Sequence, residues 1–463
     1  MNMKMRYFSL KKVLAALAVL TACVFTHAAD PKAWDEAYAK DSPLDAAVAD
    51  LMSEINAPAS SPSFGSLKKI YTNVYASVPA IRKTQAQLNG LSLAVEEKES
   101  KRYPQVTLQS YVGRSTADTA SASASGQSRN IALEVNQLLF DFGATEKEIG
   151  AAKTRFSSGI DRVTAERMTV LLSMLKAQLE LQTARKLIVF HDSNEKSRQQ
   201  FYDLIKQKEN LGASSKLDLA RAETKLFEAK AKMPAITGDL FRAESAVKEL
   251  FGVVPEFSFS FYQLPDIPVN FGGNIDDLVS RHPLVREAAK NFDVALQDVE
   301  YIKRSGLGRV SLTISSADAK QPVTGKTNTT SGYIEYSNVL FDGFAQKARI
   351  ASAIEKASEI EIEKERIERN VSQQLLATLT QFQSAKETLG VRGKLLVSAR
   401  KSARDLYAAF LLNRGSLSDV FDAEEAYFSA TESTVNAMFT LHSAYYKLLH
   451  DMGQLSEAFE LNS

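Results

Sequence analysis

One cysteine, Cys23, stands in 463 residues, so the chain has no disulfide of its own and no thiolate chemistry beyond that position. Neither sign of charge is in excess. Fifty-six lysines and arginines face 55 acidic residues, a formal charge of +1, and a polyanion such as nucleic acid finds no electrostatic footprint. The five histidines, His27, His191, His282, His442 and His450, never fall at metal-ligand spacing with carboxylates or cysteine. No Gly-x-Gly-x-x-Gly, Walker loop or Gly-x-Ser-x-Gly occurs. The chain therefore reads as no enzyme, with no cofactor and no metal. After the first 25 residues no apolar run reaches about 20, so no helix spans a bilayer and any crossing falls to strands. Proline is missing between Gln105 and Met233 and again after Pro322. Helices in those stretches have nothing to stop them.

The N-terminus carries Lys4, Arg6, Lys11 and Lys12, then an apolar run from Val13 to Phe25, then Thr26-His27-Ala28-Ala29. This is the form of an export signal, residues 1–28, cleaved near Ala29. Leu20-Thr21-Ala22-Cys23 also fits a lipoprotein box, in which Cys23 would be acylated and become the first mature residue. Residues 29–63 form an extension, helical around Trp34 to Ile55, closed by a Pro- and Ser-rich linker from Ala57 to Ser63.

The rest of the chain repeats once, at an offset of about 201 to 204 residues, with units 64–258 and 259–463. Pro79 answers to Pro283, Val106-Thr107-Leu108 to Val310-Ser311-Leu312, Leu139-Phe140-Asp141 to Leu340-Phe341-Asp342, and Asn210-Leu211-Gly212 to Asn413-Arg414-Gly415. Each unit reads as helix, strand, strand, very long helix, turn, helix. Val170, Met174, Ala177, Leu181, Ala184 and Ile188 recur at four- and three-residue steps, a coiled-coil seam. Ile367, Val371, Thr378, Phe382, Ala385 and Leu389 make its counterpart, followed after Gly415 by Val420, Ala423, Tyr427, Thr434, Leu441 and Leu448. Gly212 and Gly415 mark hairpin turns, where glycine most easily adopts a left-handed cap. The helical hairpins span about 143–251 and 345–455. The fold class is α+β, mainly α: long antiparallel coiled-coil hairpins plus four strands.

The strands are expected at Gln105 to Arg114, Asn130 to Phe140, Arg309 to Ser315 and Tyr333 to Phe341, joined by Ser-, Thr-, Ala- and Gly-rich loops from Ser115 to Ser128 and Ala317 to Thr330. Ile131, Leu133 and Val135 alternate with polar neighbours, as do Val310, Leu312 and Ile314. Two readings stay open: a sheet packed on helices in water, or strands of a transmembrane barrel. Four strands cannot close a barrel, and an open edge in lipid leaves amides unpaired. The second reading therefore demands that several chains pool their strands.

From Phe64 to Met452 the chain resembles the TolC family of outer-membrane efflux and secretion channels. The resemblance lies in the doubled unit, Pro79 and Pro283, Leu139-Phe140-Asp141-Phe142-Gly143 and Leu340-Phe341-Asp342-Gly343-Phe344, and Gly415 followed by Asp419-Val420-Phe421-Asp422-Ala423. It implies a homotrimer in the outer membrane of a Gram-negative bacterium, with a 12-stranded barrel in outer-membrane lipid on an α-helical periplasmic tunnel. It also implies docking, at a tip marked by Gly212 and Gly415, to a periplasmic adaptor coupled to an inner-membrane transporter of the ABC type. By the same resemblance Asp419 and Asp422 match the aspartate pair that narrows the tunnel entrance, and Asp218 the acidic residue of the first hairpin. Under three-fold symmetry they would form negative rings. The chain departs from the family in a segment between Gly415 and Asp419 about two residues short, and in Leu412 where an aromatic is common. The usual basic gate partner is unmatched; Arg414 is a candidate substitute, but reads more simply as a solvated arginine at a helix end. Asp419 and Asp422 also read as carboxylates favoured by a helix start.

The expected function is a passive export duct for type I protein secretion, with small-molecule efflux as the alternative within the class. The rival from another class is a periplasmic coiled-coil structural or adaptor protein whose strands never touch lipid.

Overall fold

The computed structural model describes residues 42–55, 71, 77–119, 122–252, 264, 275–322, 325–412 and 414–458. The leader, Cys23 and the linker from Ala57 to Ser63 lie outside them. The elements are α1 (Pro43–Ile55), α2 (Pro79–Glu99), β1 (Gln105–Thr119), β2 (Ala122–Phe140), α3 (Ala144–Asn210), α4 (Lys216–Phe251), α5 (Ile275–Arg281), α6 (Pro283–Ser305), β3 (Arg309–Gln321), β4 (Gly325–Ser337), α7 (Ala345–Leu411), α8 (Leu417–Asp451) and α9 (Leu455–Ala458). The chain divides into two compact units, one of residues 67–173, 268–379 and 446–463, the other of 1–66, 174–267 and 380–445.

α3 and α7 are each 67 residues long, begin at Ala144 and Ala345, and so reach about 100 Å apiece at 1.5 Å per residue. Most residues of their predicted seams are buried, while Ile188, Ile367 and Leu389 are only partly so. Val170, Met174, Ala177, Leu181 and Ala184 are buried on α3, and Val371, Thr378, Phe382 and Ala385 on α7. Val420, Ala423, Tyr427, Thr434, Leu441 and Leu448 are buried on α8. Pro79 and Pro283 each open a helix, where a missing N–H costs nothing.

The first unit holds the sheet, α2, α5, α6 and the sheet-proximal parts of α3 and α7. Val279, Val285 and Val371 form one small core with Ile275 and Ile367, and Ala295, Val299 and Ala357 another with Ala353 and Ile360. Asp161, fully buried, lies 2.5 Å from both Arg286 and Lys290. The other unit holds α1, α4, and the parts of α3, α7 and α8 that flank the hairpin turns. Its core near those turns is Phe201, Ile205, Ala222, Leu417, Val420 and Phe421, with Tyr202, Leu219, Leu406, Tyr407 and Phe410 against it.

The four strands form one antiparallel sheet in the order β1-β2-β3-β4. Its extent corrects the expected strands in two ways. The segments taken as loops are mostly strand, since the ladder runs to Thr119↔Ala122 and to Gln321↔Gly325. Those residues lack apolar alternation, but pairing is main-chain chemistry and continues in the register set by the apolar rungs. β4 stops at Ser337 and not at Phe341, because its partner β3 begins at Arg309, the last rung, behind a left-handed Gly308.

Candidate pore entrance and membrane sheet

Register sorts the sheet into two chemically distinct faces. Val106 and Leu108 of β1 stand opposite Val135 and Leu133 of β2, and Val135 opposite Ile314 of β3. Leu312 and Val310 continue that face to Ile334 and Tyr336 of β4. The opposite face carries Gln105, Thr107, Gln109, Glu134, Asn136, Thr313, Ser315 and Ser331, with Asn136 donating to Thr313 Oγ1 at 3.0 Å. The apolar face is uncovered: Leu108 is 67% exposed, Ile334 68% and Val112 78%. From Val106 to Val112 it runs about 20 Å at 3.4 Å per residue, close to the apolar band of an outer-membrane barrel. The outer edges of β1 and β4 have no partner strand among the described residues.

Both strand-to-helix junctions have the same build. Phe142 and Gly143 take left-handed backbones in one, Gly343 and Phe344 in the other. A left-handed Phe is uncommon and is held here by the aspartate before it. Asp141 Oδ2 accepts from Thr145 N–H at 2.7 Å, and Asp342 Oδ2 from Gln346 N–H at 2.7 Å, so each carboxylate caps a long helix. Phe140 packs on Phe142 and Phe341 on Phe344, all four exposed. Sequence reading used these residues only as a motif. Their place at the end of the apolar face was the signal it left unused.

At the first hairpin turn Gly212 is left-handed, with Ala213 N–H donating to Lys208 O at 2.7 Å. The equivalent bond of the second turn runs from Arg414 N–H to Ala409 O at 2.8 Å. That register makes Arg414 the counterpart of Ala213. Gly415 is not left-handed, a correction to the expected pairing of the two glycines. Its constraint is space, since a Cβ there would stand 3.3 Å from the Phe410 nitrogen.

Ser215 and Ser416 then start the return helices. Ser215 Oγ accepts from Asp218 N–H at 3.1 Å while Asp218 accepts from Ser215 N–H at 3.3 Å, a reciprocal capping box. Hydrogen bonds from Ser215 hold the Asp218 carboxyl below the usual range. Ser416 Oγ accepts from Asp419 N–H at 3.1 Å, so Asp218 and Asp419 occupy the same position of the two helices. The Asp218 carboxylate is engaged as a cap. Those of Asp419 and Asp422 are exposed and have no ion pair or side-chain hydrogen bond among the described residues, and neither has the exposed Arg414 side chain. The two aspartates, three positions apart, share one face of α8. Along that face Ala426, Ser429, Ser433, Asn436 and Thr440 continue at alternating four- and three-residue steps, all at least partly exposed.

A single-layer sheet with one bare apolar face, set on helices too long for a globular core, defines a subunit of a membrane channel. Residues 70–253 match the family model for outer membrane efflux proteins. The chain is 19% identical over 356 residues to the outer membrane efflux protein BepC of Brucella suis biovar 1, covering 76% of this chain and 77% of that one. It is 19% identical over 410 residues to the outer membrane protein TolC of Salmonella enteritidis, covering 84% and 82%. Its fold matches the crystal structure of the outer membrane protein VceC from Vibrio cholerae with a TM-score of 0.73 at 14% identity, over 84% of this chain and 96% of that one. Over residues 70–253 the chain is similar to outer membrane efflux proteins, and over most of its length to BepC and TolC, which are outer-membrane proteins and not enzymes.

Proposed function

We propose that three copies pool their four strands into a 12-stranded barrel in outer-membrane lipid and their helical hairpins into a periplasmic tunnel. The observation that carries this is the sheet itself, with a bare apolar face and two open edges, β1 and β4. Open edges are unacceptable in lipid, and pairing β1 of one copy with β4 of the next removes all of them. Phe140, Phe142, Phe341 and Phe344 then sit as an aromatic girdle where barrel meets helix. The duct is passive. A periplasmic adaptor meets the tip at the two hairpin turns, and an inner-membrane transporter of the ABC type supplies the energy. Asp419 and Asp422, repeated three times, form negative rings at the entrance, with Asp218 beneath them as the cap of the neighbouring hairpin and Arg414 as the nearest candidate counter-charge in sequence.

The cargo is read as protein, exported by type I secretion. Supporting it are the Leu340-Phe341-Asp342-Gly343-Phe344 junction and the neutral, short, hydroxyl- and amide-bearing wall that Ser429, Ser433, Asn436 and Thr440 continue from the aspartates. Such a wall offers an extended polypeptide no charged or apolar trap. Small-molecule efflux is the second reading, favoured by the efflux designation of the family and of BepC. Quantitative mass spectrometry of proteins secreted by a deletion strain and its complemented parent, with parallel dye and drug sensitivity, separates them. Loss of one or a few large extracellular proteins is expected. Unchanged secretion with heightened drug sensitivity makes the duct an efflux channel.

A further inference from the structure

α1 precedes both repeats, yet it is anchored in the helical core. Leu44, Val48 and Leu51, spaced four and three apart, are at most 1% exposed, so one face of a 13-residue helix is wholly buried. Leu44 N–H donates to Ser197 Oγ of α3 at 3.4 Å. The decisive residue is Asp45, itself 1% exposed. Its Oδ1 accepts from Arg400 Nε of α7 at 2.6 Å and its Oδ2 from Arg400 Nη2 at 2.6 Å. Oδ1 also accepts from the Tyr427 hydroxyl of α8 at 3.0 Å. One buried carboxylate therefore holds both arms of the second hairpin, the arms that flank the turn before Asp419.

We propose that α1 is a strap and Asp45 a positioning residue that keeps α7 and α8 in the register of the closed entrance. This rests on the duct reading above. Sliding one helix past the other by a single residue moves it about 1.5 Å, and such a movement lengthens and misaligns bonds now at 2.6 and 3.0 Å. A charge stranded in the core resists that movement strongly, because no water replaces the lost donor. Because Leu44 ties α1 to Ser197 of α3, movement of either arm relative to α1 disturbs the Asp45 contacts. Burial, and the negative charge of Asp45 beside it, push the Tyr427 hydroxyl far above its usual range, so it remains a donor at every pH the cell meets.

The test is single-channel recording on purified trimers in planar bilayers for the parent, Asp45→Asn and Tyr427→Phe. Asp45→Asn keeps the shape and removes the charge, and the conductive fraction at low voltage should rise roughly tenfold or more. Tyr427→Phe keeps the bidentate Arg400 pair, so its rise is smaller while its trimer dissociates on heating as the parent's does. Parental current in both variants, carried by intact trimers, overturns the strap. Should Asp45→Asn fail to assemble, Tyr427→Phe decides alone: raised current supports the strap and parental current rejects it. A parent that forms no pore at any voltage removes the duct reading, and the strap with it.

Discussion

At the residue scale, two aspartates at the same helical position do different work. Asp218 is spent on its own helix start, whereas Asp419 leaves the backbone to Ser416 and keeps its carboxylate exposed beside Asp422. Replacing Asp419 and Asp422 by alanine should therefore lower cation preference and change conductance in bilayers, and unchanged current and selectivity would take both residues out of the gate. Two buried imidazoles set the response to acid. Burial lowers the pKa of His442 to about 4, and burial with the neighbouring His450 charge lowers that of His282 to about 4, against an ordinary value near 6.5. The unfolded chain then binds more protons between those limits, so the stabilisation is complete above pH ~6.5 and is lost as pH falls toward ~4, on the order of 3 kcal/mol for each ring. His282 Nδ1 accepts from Leu284 N–H at 3.3 Å, a bond that protonation removes. Thermal unfolding at pH 7.5 and 5 should show the loss, and His442→Gln should remove about half of the pH dependence. Neither imidazole announces itself in sequence. Their spacing offered no metal site and said nothing of burial, which for His282 involves His450, 168 positions along the chain.

At the scale of elements, helices were far more legible than strands. A 67-residue helix needs only good helix formers, a three-four apolar rhythm and the absence of proline, all local properties. Strand ends depend on a partner. Ser115 to Thr119 and Ala122 to Ser128 look like loop and are strand because they face each other, whereas Asn338 to Phe341 look like strand and are not, because nothing pairs with them. The hairpin turns carry the same lesson: a shared glycine in the sequence placed Gly415 opposite Gly212, but Gly415 is not left-handed and the equivalent turn bonds come from Ala213 and Arg414. The two faces of the sheet make a further prediction. Leu108→Arg puts a charge in the middle of the apolar face and should cost roughly 2–4 kcal/mol of membrane insertion, depleting outer-membrane trimer. Gln109→Arg, one residue on and on the polar face, should leave the trimer level unchanged. Equal loss in an immunoblot of outer-membrane fractions would mean that the sheet does not face lipid.

At the scale of the whole molecule, a lone protomer is chemically incomplete, with a bare apolar face, two open sheet edges and a pair of unpartnered carboxylates at the tip. The proposed trimer would cover the face and pair the edges, while the carboxylates would stay unneutralised in it, which is why the sheet carries the proposal more firmly than any single motif. By itself the sequence determined the export leader as an expectation, the helix lengths, the seams, the apolar alternation and the family resemblance. These follow from local composition and period, written within a few turns or rungs of chain. Only the tertiary structure decided which face of the sheet is continuous, where the ladders end, which aspartate is free, and that Asp45 meets Arg400 and Tyr427 at separations of 355 and 382 residues. Contacts of that kind leave no local trace, because a buried carboxylate looks like any solvated one until its partners arrive from the far end of the chain.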